Sequence, residues 1–512
     1  MMSTRSIVWK TILKTDIFRV RTILCWTGKL SRLIKLKYRS IVSEMQAVAV
    51  YFFSRDLRLV DNTGLNSLAK RGSKILPVFV FTPEQLDQKR NPFYSENCVQ
   101  FMYECLRDLD SALKSLRRPL IFFHGTHIDS LKALRGFIKF QEVHMMDDVT
   151  PYSSTRASKI RKWCTQNDVL FRLHEDADLL NMEQGLRYPS QPYQVFSPFL
   201  KHVNQVYTVR SVDHFGLRSD HFMPIKLSTK PFSTLDTLKM SFRPNDRLAV
   251  HGGRKEALRR LKLVNTLKDY GVKRDFPGLD RSTTLLSASI KFGCISIREV
   301  YWKAVKKFGK THEFVRELWF RSFYYHIVKY NPHMLQGRPF KPKYENIKWR
   351  QDEEGFKRWC KGLTGIPLCD AGMRNLKATG HLHNRVRMVV ASVLSKLLLI
   401  DWREGERVMA TFLVDFDPVS NNCGWQTMAS TAPPFSEQYD RTMNPFRQSQ
   451  RYDIDAVYIQ RWIPELRGVP AKAIHNWEVA HKDYDVGYPS PVVDVKKARQ
   501  RAKEVFKQAL AP

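Results

Sequence analysis

The sequence predicts an N-terminal α/β domain built on a doubly wound parallel sheet, then a long connector, then an all-α domain. Three observations predict it. Over residues 47–175 short β-prone runs alternate with helical patterns. From about 245 to 470 apolar residues recur at helical spacing and aromatics are frequent, which puts a helical domain at 245–485. Between them, 176–244 has little periodicity and several prolines, and reads as a connector with short helices. A chain of 512 residues can bury separate cores for two or three domains.

Residues 1–46 stand apart. They hold ten Lys or Arg and only two acids, Asp16 and Glu44, with apolar residues interleaved. That is the composition of a mitochondrial targeting segment; a basic tail that adds affinity for DNA is the plain alternative. A location in the mitochondrion, the nucleus or both is the resulting expectation. Residues 47–53 (AVAVYFF) form a continuous β-prone run, the pattern of a strand buried on both faces. Runs at 75–81, 120–123 and 142–145 follow, and one around 169–173 closes the sheet. Helices are predicted at 98–116 and 128–140 between these strands. The last stretch, 486–512, is basic and reads as a terminal helix or tail. There are no repeats of 20–50 residues.

Charge and cysteine usage narrow the partners. Lys plus Arg is 84 against 50 acids, a net +34, which favours a polyanion. Nucleic acid comes first and an acidic membrane surface second. No apolar run reaches transmembrane length, so no membrane partner is expected. Eight cysteines form no C-x-x-C pair and sit in apolar contexts, which fits scattered reduced thiols and neither a disulfide framework nor a zinc site.

The segment 379–425 carries the densest chemistry. His383, Asn384, Arg385 and Arg387 mark one end, and Asp415, Asp417, Asn421 and Asn422 the other. Between them 389–400 is almost wholly apolar. Polar groups set into buried helices cost several kcal/mol without partners, so the segment hides a polar network or wraps a large polar ligand. Upstream, Thr283, Thr284 and Ser287 make a hydroxyl-rich turn opening a helix, which suits a phosphate or an ordinary cap. Arg387 and Asp415 could pair, and in isolation a structural salt bridge is the default.

These stretches resemble the DNA photolyase/cryptochrome family, and among its members the class I cyclobutane pyrimidine dimer photolyases. The matching motifs are VYFFSRDLRLVDNTGL (50–65), DYGVKRDFPGLDRSTTLLSASIKFGCIS (269–296), RELWFRSFYYH (316–326), the 379–425 segment and MNPFRQSQRYDIDAVYIQRWIPELRGVP (443–470). They occur in the family's order. The resemblance implies an N-terminal α/β domain and a helical domain holding FAD. It implies flavin contacts from Tyr270, Thr283, Thr284, Leu286, Ser287, Arg321, Arg387, Asp415, Asp417 and Asn421, with Asn421 facing N5. Leu285 stands where many bacterial members have an Arg.

Trp425, Trp402 and Trp349 match the family's electron-carrying tryptophans, from the flavin outward to the surface. Glu317, Asn384 and Met388 match the catalytic pocket of cyclobutane dimer enzymes, where a carboxyl and an amide hydrogen-bond the base edges. The (6-4) photolyases have histidines at the positions of Asn384 and Met388, so that alternative is disfavoured. Arg274, Arg385 and Arg441 match DNA-contact positions. Phe320 and Thr427 replace two pocket tryptophans, and Trp319 stands one residue before Phe320. Arg55 and Arg58 read as internal pairs of the α/β domain. The expected function is light-driven repair of pyrimidine dimers by a monomer acting on damaged DNA. A cryptochrome-type photoreceptor is the rival. A second antenna chromophore, deazaflavin or folate, is left open, although Leu335-Gln336 disfavours the folate mode of some bacterial members.

Overall fold

The computed structural model describes residues 46–180, 193–225, 233–432 and 442–510, and the chain from Val48 onward forms one compact unit. The expected presequence lies outside the described residues apart from Gln46.

Five strands make an all-parallel sheet of order β3-β2-β1-β4-β5: β1 Val48–Phe52, β2 Lys74–Phe81, β3 Ile121–His124, β4 Glu142–Met146 and β5 Leu170–His174. Each expected strand is present within a residue or two. Four helices connect them: α1 Thr63–Lys70, α2 Glu96–Ser115, α3 His127–Phe137 and α4 Pro151–Gln166. Their starts are chemically marked. Asn62, Ser95, Thr126 and Thr150 each accept a backbone N–H of the first turn through the side chain. Gly64 lets α1 lie close to the sheet, because a Cβ there would sit 2.4 Å from Tyr51 Cε2.

One sheet face packs Val50, Phe52, Val78 and Met145 against Leu131, Leu134 and Ile160 of α3 and α4. The other face, with Tyr51, Ile75, Phe79 and Phe81, runs into a core shared with the helical region. Phe101 of α2 stacks on Phe292 at 5.2 Å within that shared core. Helix α5, Phe196–Val206, belongs to the connector and joins the same core through Phe196, Phe199 and Val203.

The principal helices that follow are α6 Ser287–Lys291, α7 Ile297–Phe308, α8 Glu313–Tyr330, α9 Glu353–Lys361, α10 Pro367–Thr379 and α11 Asn384–Ser392. After α11 a π-helical turn spans Val393–Leu398. Then come α12 Trp402–Phe412, α13 Pro418–Met428, α14 Pro445–Tyr452, α15 Val457–Trp462 and α16 Val495–Ala509. Every residue of 389–400 is buried, as its apolar run requires. The basic end of the chain is the helix α16, and its apolar stripe of Val495, Ala498, Ala502 and Phe506 packs inward.

Charged side chains line the junction of sheet and helices. Arg298 pairs with Asp61 at 2.9 Å and Asp176 at 2.6 Å, and Arg58 pairs with Asp176. Arg55 reaches Asp148 at 3.1 Å and also Asp417. Arg55 and Arg58 are thus internal pairs, as the sequence suggested. Among the described residues no helix is long and apolar enough to cross a membrane, and no group of three His, Cys, Asp or Glu is placed to hold a metal ion.

Candidate functional site

The hydroxyl turn at 282–286 is backbone-strained. Leu285 sits in the left-handed region at φ +52°, a conformation that costs a non-glycine residue on the order of 1 kcal/mol or more. Thr284 is buried and Ser287 is exposed at the start of α6. The Ser287 hydroxyl donates to Asp415 at 2.7 Å. Asp415 also accepts Arg387 Nη2 through both oxygens, at 2.7 and 2.9 Å, and Arg387 Nε donates to the Leu382 carbonyl at 2.8 Å. One polar chain therefore runs from the hydroxyl turn to the start of α11. Burial pushes the Asp415 carboxyl up, but Arg387, His381 and the Ser287 hydroxyl outweigh it and hold Asp415 below the usual carboxylate range. His381 and His383 are both pushed down to about 4, by burial first, so both are neutral imidazoles at neutral pH.

Asp417 starts α13. It accepts Val419 N–H at 3.0 Å and Ser420 N–H at 3.2 Å, so it is the helix cap. Its other oxygen takes Arg55 and the Tyr325 hydroxyl, the latter at 2.7 Å. Arg321 lies beside it, donating to the Ala177 carbonyl at 2.9 Å and to Tyr325 Oη at 3.0 Å. Resemblance gave Asp417 and Arg321 direct flavin contacts. In the structure both also join the polar network at the sheet–helix junction, where Arg55 and Tyr325 converge.

One turn into α13, Asn421 is 8% exposed and its Nδ2 makes no well-directed hydrogen bond. Beside it, Asn422 Nδ2 donates to Glu406 at 3.2 Å and Asn422 Oδ1 accepts Gln426 Nε2 at 2.9 Å. Burial lifts the Glu406 carboxyl to about 7, with Asn422 and Asn421 opposing. Buried polar atoms without partners are uncommon and call for a ligand or water. Asn421 Nδ2 and His383 Nε2 close no well-directed bond, Asn421 leaning on Glu406 and His383 on the Arg274 backbone, and the strained hydroxyl turn lies at the other end of the polar chain. This donor set fits FAD, with hydroxyls for a pyrophosphate and an amide and a charged pair for a flavin ring.

A second group of residues forms a partly exposed mouth. Arg274 pairs with Glu317, and both are partly exposed. The Arg274 guanidinium lies 5.7 Å from the Tyr270 ring centroid, and Tyr270 meets Phe314 edge-on at 5.2 Å. The neighbouring Asp275 binds Arg385 at 2.6 Å, and Arg385 also covers Tyr452 at 4.4 Å. So 274–275 ties Glu317 on α8 to the start of α11, where Asn384 is exposed and Met388 half-buried. Phe320 packs on Phe196 at 4.5 Å and on Tyr324 at 5.0 Å. Tyr324 faces Thr427 at 3.5 Å. Trp319 is 1% exposed and turned toward Tyr207 and Tyr301, so it does not replace the ring missing at 320. Arg441 lies outside the described residues.

The three predicted indoles lie along α12, α13 and the segment before α9. Trp402 is fully buried and Trp425 nearly so, while Trp349 is half-buried. The Trp425 ring rests on Gly405, one turn along α12 from Trp402; a Cβ there would come within 2.2 Å of Trp425 Cη2. Trp359, which the sequence did not single out, meets Trp425 edge-on at 6.1 Å.

Comparison with known proteins agrees with this geometry. Residues 49–215 match the family model described as DNA photolyase, and 314–508 match the FAD binding domain of DNA photolyase. The deoxyribodipyrimidine photo-lyase of Alkalihalophilus pseudofirmus is 32% identical over 483 residues, covering 89% of this chain and 97% of that protein. The chain belongs to the DNA photolyase family. An archaeal photolyase from Sulfolobus tokodaii, whose crystal structure holds two FAD molecules, superposes with TM-score 0.80 at 36% identity, covering 90% of this chain and all of that one. A Synechocystis cryptochrome superposes equally well, TM-score 0.80, but at 24% identity over 90% of this chain and 99% of its own; that likeness shows the fold alone.

The structure brings together Ser287, Arg387 and Asp415, and separately pairs Arg274 with Glu317 and Arg385 with Asp275; Asn384 is exposed beside Arg385. Sequence reasoning missed Phe196, Tyr324, Tyr325, Trp359 and Glu406. Of these, Glu406 alone carried a local signal, an acid inside an otherwise buried helix face four residues after Trp402.

Proposed function

We infer that this chain is a deoxyribodipyrimidine photo-lyase that repairs cyclobutane pyrimidine dimers in DNA under light. The observation that supports the lesion class is the linked pairs Arg274–Glu317 and Asp275–Arg385, with Asn384 beside Arg385 at the exposed start of α11. A carboxyl and an amide there can hydrogen-bond the two base edges of a dimer. Such preplaced groups stabilise the charge that develops when the dimer accepts an electron. Asn384 and Met388 stand where (6-4) enzymes carry histidines, and the nearby His381 and His383 lie off those two positions.

FAD, when bound and reduced, would supply the light-driven one-electron chemistry that splits the dimer. Around it this chain's residues bind and orient. Thr283, Thr284, Leu286 and Ser287 would hold the pyrophosphate end. Arg387, paired to Asp415, would place positive charge against the flavin edge, and Asn421 would offer its amide. Trp349, Trp402 and Trp425 would pass an electron inward to restore the reduced cofactor.

Arg274 and Arg385 lie at the mouth and suit phosphate contacts, although each is also paired with a carboxylate. Flipping a dimer out of the duplex is cheaper than flipping an intact base. Phe196, Phe320 and Tyr324 form the apolar wall that receives it. The crevice at the C-terminal ends of β4 and β5, lined by Asp147, Asp148, Glu175, Asp178 and Lys329, suits a second chromophore. Its acidic lining favours a deazaflavin-type ring over a folate with carboxylate tails. The protein works as a monomer, and its basic first 46 residues direct it to the mitochondrion, with the nucleus as the other destination.

The test is illumination of the FAD-loaded protein with two oligonucleotides, one holding a cyclobutane thymine dimer and one a (6-4) product. Thymine release from the first alone is expected. Repair of the (6-4) product, or none of either despite bound and reduced FAD, overturns the assignment.

A further inference from the structure

Helix α16 supplies no residue to the flavin site or to the lesion mouth, yet it lies against the outermost indole. Phe506, fully buried, meets Trp349 edge-on at 6.0 Å and 84°. Tyr344, Ile347, Leu399 and Ala502 complete that small apolar cluster. The same contact is pinned by hydrogen bonds. The π-helical turn Val393–Leu398 ends at Leu399, whose φ is +56°, so its last carbonyls lack helical partners. Arg501 of α16 donates to the Leu397 carbonyl at 2.6 Å. Arg350, next to Trp349, donates through its side chain to Leu398 at 3.3 Å and through its backbone N–H to Leu399 at 2.7 Å. Trp349 and α16 are thus fastened to one turn.

The outer face of α16 is cationic, while Asp352, paired with Arg350 at 3.3 Å, and the exposed Glu353 and Glu354 follow Trp349 on the other side. The buried Lys396 ammonium lies 3.6 Å from the Phe506 ring centroid. Outward, α16 presents Lys496, Lys497, Arg499, Lys503 and Lys507, all exposed, with Glu504 the acid among them. Clustered charge of one sign concentrates opposite charge and speeds its encounter, by about ten-fold to a thousand-fold in strong cases.

We propose that α16 both covers Trp349 and recruits its electron donor, a small anionic one-electron reductant of the ascorbate class. This rests on reading Trp425, Trp402 and Trp349 as an electron path. After an electron has moved inward, Trp349 is left one electron short. The anionic donor gives up one electron to the indole radical cation, releases its enol proton to water and leaves as the radical anion; no atom passes to the indole. Phe506 limits how closely any donor approaches, and the basic face selects anionic donors over neutral ones.

The experiment is laser-flash photolysis of the full chain with oxidised FAD bound, following decay of the tryptophanyl radical against added ascorbate or neutral dithiothreitol. The ascorbate rate constant is expected to fall with ionic strength, and that of dithiothreitol to stay level. The exposed double variant Lys503→Glu, Lys507→Glu should slow ascorbate about threefold to tenfold and leave dithiothreitol unchanged. Phe506→Ala should speed both donors. Unchanged ascorbate kinetics in the charge variant, or unchanged kinetics with both donors in Phe506→Ala at normal FAD content, overturns the proposal. Trp349→Phe separates it from the reading beneath: persistence of the full slow radical signal there would mean that the electron path itself is wrong.

Discussion

Replacing Glu406 by Gln should stabilise the protein at alkaline pH and do little in mild acid. Burial lifts this carboxyl to about 7 from its ordinary 4.5, against opposition from Asn422, Asn421, Arg403 and Arg407. The native state therefore binds the proton more tightly than the unfolded chain. Stability from this group is complete below pH 4.5, falls as pH rises, and is lost above 7. At 1.36 kcal/mol per pH unit the loss is about 3 kcal/mol at pH 8 and about 1 kcal/mol at pH 5.5. Gln keeps an acceptor oxygen for Asn422 Nδ2, which lies 3.2 Å from the carboxylate. Urea unfolding of the FAD-loaded protein and variant at the two pH values measures the difference. Glu406→Gln should gain roughly 2–3 kcal/mol at pH 8 and under about 1 at pH 5.5. An equal effect at both pH values would refute the argument that burial of a charged Glu406 is what is being relieved.

Asp417→Asn should act with the opposite pH sense. Burial pushes Asp417 up, but Arg55 and Arg321 outweigh it and hold it far below the usual range, so its contribution is present above about pH 4 and is lost as pH falls. Removing the charge leaves Arg55 without that partner and should cost about 3 kcal/mol at pH 7, shrinking in acid melts. Gly405→Ala should force the Trp425 ring off α12, costing about 1–3 kcal/mol in urea unfolding and slowing the appearance of the first tryptophanyl radical after a flash. Phe320→Ala should weaken binding of a dimer-containing oligonucleotide by about 1–3 kcal/mol in fluorescence anisotropy at fixed salt, and leave undamaged DNA unaffected.

Local chemistry made much of the fold legible. Strands β1 to β4 are largely apolar runs buried on both faces while β5 is exposed on one, and the helix starts of the α/β region are Ser, Thr or Asn before a helical period. The site was legible where motifs marked the residues: Ser287, Arg387 and Asp415 do meet, although Ser287 and Asp415 lie 128 positions apart. What the sequence hid were pairings that no motif couples. Arg55 reaches Asp417 across 362 positions, which makes Asp417 a junction partner as well as the cap of α13. The neighbours Trp319 and Phe320 point to different sides of α8, so the indole is committed to Tyr207 and Tyr301 and the smaller ring faces the pocket. The docking of α16 on Trp349 depends on a π-helical turn with free carbonyls, and no propensity rule announces one.

The central claim is a cycle in which light drives dimer splitting with no net redox change. The direct measurement counts thymine pairs restored per protein under blue light, after photoreduction and removal of all reductant, on an oligonucleotide with one cyclobutane dimer. Many turnovers in the light and none in the dark are predicted. At most one turnover per protein would mean that the electron does not return, and would contradict the account.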